Sequence, residues 1–138
     1  MAVKMDKEAL SAFLVDVFPQ VHEDFAIEHV EEMAVRVRLK VAERHLRPGG
    51  TVSGPSMFAL ADVGVYLAVL SMIGPKALTV TTSCSMDFMR KPRAHADLIA
   101  SCTLLKLGRT LAVGDVLLRS DGADAPVARA TMTYAIPS

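Results

Sequence analysis

A single carboxylate, Asp62, stands in the middle of an otherwise uncharged apolar run from Gly54 to Ile73. A charge in such a place is costly unless it is paired, hydrogen-bonded or put to chemical use. Used chemically, a carboxylate serves as a nucleophile or as a general base toward water. Just upstream lies Arg47-Pro-Gly-Gly-Thr-Val-Ser-Gly54, whose glycines suit a backbone that must approach a ligand closely. It leads into a helix start at Gly54, where unpaired N–H groups and the positive end of the helix dipole can receive an oxyanion. A cap or an ion pair with a neighbouring subunit would account equally well for an isolated acid. The glycine-rich turn and the helix start tilt the balance toward a reactive site.

Those residues need elements to hold them. Gly54-Pro55 at one end and Gly74-Pro75 at the other frame a helix over residues 53–73. It is apolar on every face, so it must be buried on nearly all sides. Its length of about 21 residues would just cross a bilayer, but Asp62 near its middle and the strand patterns around it argue for a protein core. Residues 4–18, with Met5, Ala9, Ala12 and Phe13 at helical spacing, form a short amphipathic helix that Pro19 stops. Val35, Val37, Leu39 and Val41 alternate with Arg36, Arg38 and Lys40, which marks residues 33–41 as a strand with one wet face. A weaker strand signal surrounds Phe25–His29. Residues 77–89, 96–106, 110–120 and 126–136 read as further strands, punctuated by Pro92, Gly108 and Ser120-Asp121-Gly122. Short turns between consecutive strands imply antiparallel hairpins. The expected architecture is α+β: one domain over residues 1–138, with a curved antiparallel sheet wrapped around a long helix.

Composition agrees. A chain of 138 residues, 51% hydrophobic and 22% charged, is one folded domain with a sizeable core and not a disordered segment. Fifteen basic residues balance fifteen acidic ones, which leaves no net charge to drive nucleic-acid binding. Residues 1–45 carry nine acids and six bases and the remainder six acids and nine bases, so a local anion site fits the C-terminal part. Cys84 and Cys102 make no disulfide framework, and the four histidines show no zinc spacing, so no metal is expected. Both thiols are expected to pack in the core, and His45 to be a surface or structural residue. The eight methionines suit core and pocket filling. The N-terminus lacks a continuous apolar stretch of the secretory kind, which makes a reducing cytoplasm the default location.

The run Arg47-Pro-Gly-Gly-Thr-Val-Ser-Gly54 followed by Leu60-Ala-Asp62 resembles the hot-dog-fold acyl-CoA thioesterases of the phenylacetate-degradation (PaaI-like) type. Their pattern reads Asn-x-x-Gly-x-x-His-Gly, with the Asp of Leu-Ala-Asp eight residues after the second glycine. Gly50, Gly54, Leu60, Ala61 and Asp62 fit in spacing and identity, while Arg47 replaces the Asn and Ser53 the His. Thr81 to Pro92, Gly108-Arg109 and Ala128 to Tyr134 are similar to the family's later strands, so the likeness covers roughly residues 33–136.

The resemblance implies thioester hydrolysis to a free acid and CoA, in a homodimer or a dimer-of-dimers homotetramer. The Gly54 N–H would polarise the carbonyl, and Asp62 would enter from the facing subunit as nucleophile or general base. A hydroxyl at Thr81 or Thr82 would support the water. Alternation lets only one of the two point inward, and Thr81 is favoured because Thr82 shares a face with Val80, Cys84 and Phe88. Ser53 would offer a hydrogen bond, Gly50 would shape the loop, and Arg47 would pair with a carboxylate, either Asp62 or one on the substrate. Arg90, Lys91 and Arg93, with Lys106 and Arg109 on the next hairpin, would meet the coenzyme A phosphates. Coenzyme A would be part of the substrate, with no separate cofactor, no membrane and no nucleic acid involved. The alternative is a hot-dog protein that binds acyl-CoA or another acyl ligand without turning it over. A hydratase is weaker still, because no His occupies the motif.

Overall fold

The computed structural model describes residues 2–138. In chain order it has α1 (Lys7–Val17), α2 (Pro19–His22), β1 (Phe25–Glu31), β2 (Ala34–Leu39), α3 (Gly54–Ile73), β3 (Val80–Phe88), β4 (Leu98–Leu107), β5 (Leu111–Ser120) and β6 (Pro126–Ala135), with a short 3₁₀ turn at Glu43–His45 before α3. The six strands make one sheet in the order β1-β2-β4-β5-β6-β3, antiparallel throughout. The sheet curves around α3, which is the hot-dog arrangement of one long helix and an enclosing sheet.

Local chemistry sets the helix ends. Asp6 caps α1 by accepting a hydrogen bond from Ala9 N–H at 2.9 Å. The first helix ends at Val17, just before Pro19, as expected. Pro19 opens the single turn of α2, because a proline at a first helical position loses no needed donor. Ser53 caps α3, and Gly74 closes it at φ 98°, a left-handed conformation that suits glycine. By length and composition α3 is apolar enough to span a membrane, yet most of it is covered by its own sheet. Gly64 shows how close that cover is, since a Cβ there would lie 2.4 Å from Cys102 Sγ on β4. Glycine inside a helix costs about 1 kcal/mol relative to alanine, and here it lets the strand approach the helix axis.

The two cysteines part company. Cys102 is fully buried, and burial pushes its thiol up to about 12. Cys84 is exposed, contrary to the expectation of a core thiol. It sits on β3, which has β6 on one side and no strand on the other, so alternation alone does not bury it. The same edge leaves Val80, Phe88 and Met89 exposed at 56%, 55% and 46%.

At the other end of the sheet, Arg38 gathers three carboxylates: Glu28 at 2.7 Å, Asp97 at 3.1 Å and Asp121 at 2.8 Å. It thereby joins β2 to β1, to the segment entering β4 and to the turn after β5. The hydrogen bond from Arg38 holds Asp121 below its ordinary carboxylate value. A lowered folded pKa gives stability that is present above the unfolded value and lost as pH falls through the folded one. Arg38→Ala is therefore expected to lower Tm near neutrality. Its further loss on acidification below about pH 4 should be shallower than that of the wild type, as read by thermal melts across an acid series.

Candidate active site

Helix geometry separates the two chemically interesting ends of α3. Gly54 is its first residue and Asp62 lies eight residues on, about 12 Å along the axis at 1.5 Å per residue. Within one chain they cannot both touch one carbonyl group. Each opens instead on its own cavity.

The first cavity, of about 400 Å³, contains Asp62, Thr81 and Tyr134 among mostly apolar walls that include Phe18, Val63 and Tyr66. Thr81 Oγ1 donates to Asp62 Oδ1 at 2.5 Å. The Tyr134 hydroxyl lies 2.6 Å from the same Oδ1 and 2.7 Å from the Asp62 main-chain carbonyl oxygen, so one phenolic proton serves both acceptors. Thr81 and Tyr134 are direct partners in the β3–β6 register, which brings both hydroxyls to one place. The register slips between Thr81 and Ser83, and Thr82 instead donates to the Thr133 carbonyl at 3.3 Å. Of the two threonines, Thr81 is the one at the carboxylate. Burial, with the Asp62 charge second, pushes the Tyr134 phenol far above its ordinary value, so it stays protonated as a donor.

The second cavity, of about 430 Å³, brings Gly54 together with Arg47, Arg90 and Lys91, and with Met57 and Phe88 as apolar wall. The loop that shapes it is tied by backbone hydrogen bonds, Arg47 N–H to Thr51 O at 2.9 Å and Gly50 N–H to Arg47 O at 3.0 Å. Gly49 and Gly50 take φ values of 101° and 85°, which fit glycine. Gly54 N–H, in the first turn of α3, has no intrahelical acceptor and is free to serve a ligand. The Ser53 hydroxyl accepts from Ser56 N–H at 3.3 Å and lies 3.0 Å from Ser56 Oγ, so it is engaged in capping.

Other expected contacts do not form within the protomer. Arg109 is absent from the Arg90–Lys91 cavity. It lines a third one, with Lys4 and Ile73, at the C-terminal end of α3, because the β4–β5 hairpin lies at that end. Arg47 does not pair with Asp62, whose side chain is held by the two hydroxyls and not by a cation. His45 is buried and structural. Its Nδ1 accepts from Ala42 N–H at 2.9 Å, its Nε2 lies 3.4 Å from Asp24, and its main-chain oxygen accepts from Ser53 N–H at 2.8 Å. Burial alone would raise the Asp24 carboxyl, but the hydrogen bond from Arg44, with the His45 ring 3.4 Å away, holds it below the ordinary range.

Tyr134 is the site residue that sequence reasoning missed. The signal was available: Ala128, Ala130, Met132 and Tyr134 form the buried stripe of β6. A phenol at the end of such a stripe needs a polar partner.

The family model for the thioesterase superfamily matches residues 49–127. Among solved structures, a candidate thioesterase from Silicibacter sp. TM1040 is 60% identical, with TM-score 0.94 over 100% of this chain and 96% of its own. A mutant structure of phenylacetic acid degradation protein PaaI from Thermus thermophilus is 30% identical, with TM-score 0.74 over 86% of this chain and 99% of that one. A hypothetical thioesterase with coenzyme A from Streptococcus pneumoniae TIGR4 is 25% identical, with TM-score 0.78 over 94% and 98% of the two chains. Curated relatives described as candidate esterases, from Deinococcus radiodurans and Pseudomonas aeruginosa, are 37% and 32% identical over 84 residues, 61% of this chain. The matched stretches span 55% and 63% of those relatives.

The ties of His45 make a prediction. His45→Ala leaves the half-buried Ala42 N–H without its acceptor, an expected loss of about 1 kcal/mol in denaturant melts. Faster amide exchange at Ser53 should accompany it.

Proposed function

Because the chain belongs to the thioesterase superfamily, we propose that it hydrolyses acyl-CoA thioesters at a site shared between two copies. The observation that carries this reading is the Asp62 carboxylate, held by two hydroxyls in an apolar cavity, about 12 Å from a free helix-start N–H on the same α3. A two-fold pair of chains would bring the Asp62 cavity of one to the Gly54 cavity of the other, which is how a C2 interface uses a self-complementary surface. The unpaired, apolar edge of β3 supports such a partner, since exposed strand edges of this kind invite pairing.

In that arrangement the thioester oxygen accepts a hydrogen bond from Gly54 N–H, where the developing oxyanion is stabilised. Asp62 acts on the carbonyl carbon directly, or takes a proton from the water that does. The tetrahedral intermediate then collapses and the C–S bond breaks, releasing CoA thiolate, which takes up a proton. Direct attack by water gives the acid at once, whereas attack by Asp62 leaves a mixed anhydride that water then cleaves to the acid and the free Asp62 carboxylate. Arg47, Arg90 and Lys91 around Gly54 offer cations to the coenzyme A phosphates, in keeping with the coenzyme A in the Streptococcus pneumoniae structure. Coenzyme A enters as part of the substrate and not as a resident cofactor, and the setting is a cytoplasmic homodimer or homotetramer.

A second reading, acyl-ligand binding without turnover, is favoured by Ser53, whose hydroxyl is spent on the helix cap where the resembling family has a histidine. Purified protein with a panel of aryl and aliphatic acyl-CoAs and a thiol reagent separates the two, because only hydrolysis releases thiol.

The shared site has a sharper test. Asp62→Ala removes the carboxylate. Gly54→Pro removes the N–H while suiting a first helical position, since Ser53 already has the extended φ and ψ (−74°, 157°) that a following proline requires. Each variant alone should lose roughly 10²-fold or more of kcat. Unfolding and reassembling a one-to-one mixture should restore about a quarter of wild-type activity, because half the dimers then hold one intact site of two. No recovery on mixing would place both groups within one chain and sink the shared-site reading.

A further inference from the structure

Resting on that reading of Asp62, we propose that Tyr134 is a positioning residue. Together with Thr81 it anchors Oδ1 of the Asp62 carboxylate, so that Oδ2 is the oxygen presented to the reacting carbonyl or its water.

The two carboxylate oxygens are not treated alike. Among the described residues, both side-chain hydrogen bonds to Asp62 fall on Oδ1, from Thr81 at 2.5 Å and Tyr134 at 2.6 Å. A carboxylate turns about a broad, roughly two-fold torsion. Two donors converging on one oxygen remove that freedom and leave the other oxygen available. Tyr134 adds a restraint that Thr81 cannot. Its hydroxyl also reaches the Asp62 main-chain carbonyl at 2.7 Å, so the phenol bridges the side chain to its own helix backbone.

The two anchors differ in firmness. Thr81 is on β3, the free edge of the sheet, whereas Tyr134 is on β6 between β5 and β3 and is 2% exposed. Its ring is backed by Tyr66 at a centroid distance of 6.2 Å. Tyr66 in turn meets Phe18 edge-on at 6.0 Å and donates its own hydroxyl to the Ala77 carbonyl at 3.0 Å. A packed line of three rings therefore runs from the end of α1 to the carboxylate. Phenylalanine at 134 would fill almost the same space and keep this packing. The tyrosine hydroxyl is what reaches Asp62, and being desolvated it remains a donor and leaves the carboxylate its charge.

Tyr134→Phe tests the assignment in the full-length protein, with hexanoyl-CoA and benzoyl-CoA as probes and Thr81→Ser as the variant that keeps its hydroxyl. Three-bond NMR couplings to Asp62 Cγ report, independently of activity, the χ1 rotamer at which the two hydroxyls hold the side chain. In Tyr134→Phe we expect kcat to fall about ten- to a hundredfold, KM to stay within about twofold and Tm to move little, while the couplings shift from one rotamer to an average. Thr81→Ser, which retains a hydroxyl donor to Oδ1, should lose less kcat than Tyr134→Phe. An unchanged kcat, a loss carried by KM alone, or an unaltered Asp62 rotamer would overturn the positioning role. If Asp62→Ala hydrolyses both probes at the wild-type rate, or neither probe releases thiol with any variant, the hydrolytic reading fails instead. The couplings then decide the role of Tyr134 by themselves.

Discussion

The half-buried carboxylate of Asp62 lines an apolar cavity, and two hydroxyls replace part of the hydration it has given up. A cation would recover more, but it would also cancel the negative charge that a nucleophile or base requires. Hydroxyl donors hold the group without placing a counter-charge on it. Much of the surrounding architecture serves that arrangement. β3 and β6 are paired so that Thr81 and Tyr134 stand opposite one another, and α3 brings Asp62 against that pair. The backing of Tyr134 by Tyr66 and Phe18 extends the support as far as the N-terminal helix.

The second constraint is the length of a helix. Residues eight apart on α3 face different cavities, and no side-chain rotation closes a gap of about 12 Å. A carbonyl group that needs both the Gly54 N–H and the Asp62 carboxylate must find them on different chains. The proposed shared site thus follows from helix rise and from the exposed apolar edge of β3. It also gives a reason for that edge, since a strand that carries Val80, Cys84 and Phe88 into solvent is a poor terminus for a sheet.

Support for the Gly54 loop comes from a residue with no claim to chemistry. His45 holds Ala42 with its ring and Ser53 with its main-chain oxygen, which fixes the approach of the chain to the helix start. The same loop stacks beneath His95, whose ring lies so close that a Cβ at Gly50 would come within 3.2 Å of it. The loop is pinned from two sides, and Gly54 N–H is left at the mouth of the cationic cavity.

The sequence by itself determined the long apolar helix and its glycine-proline borders, the strand run that follows it, the isolation of Asp62 on that helix and the glycine-rich Arg47–Gly54 loop before it. These features are written in local periodicity, in capping chemistry and in the cost of an isolated charge, all of which act over a few residues. Only the tertiary structure decided which hydroxyls meet Asp62, because strand register joins Thr81 to Tyr134 across 53 positions of chain. It likewise separated Arg109 from Arg90 and Lys91, exposed Cys84 and buried His45. Alternation along a strand says which side chains share a face, but not whether another element covers that face. Which strand forms the edge, and which end of a helix a hairpin reaches, are settled by contacts between residues far apart in sequence.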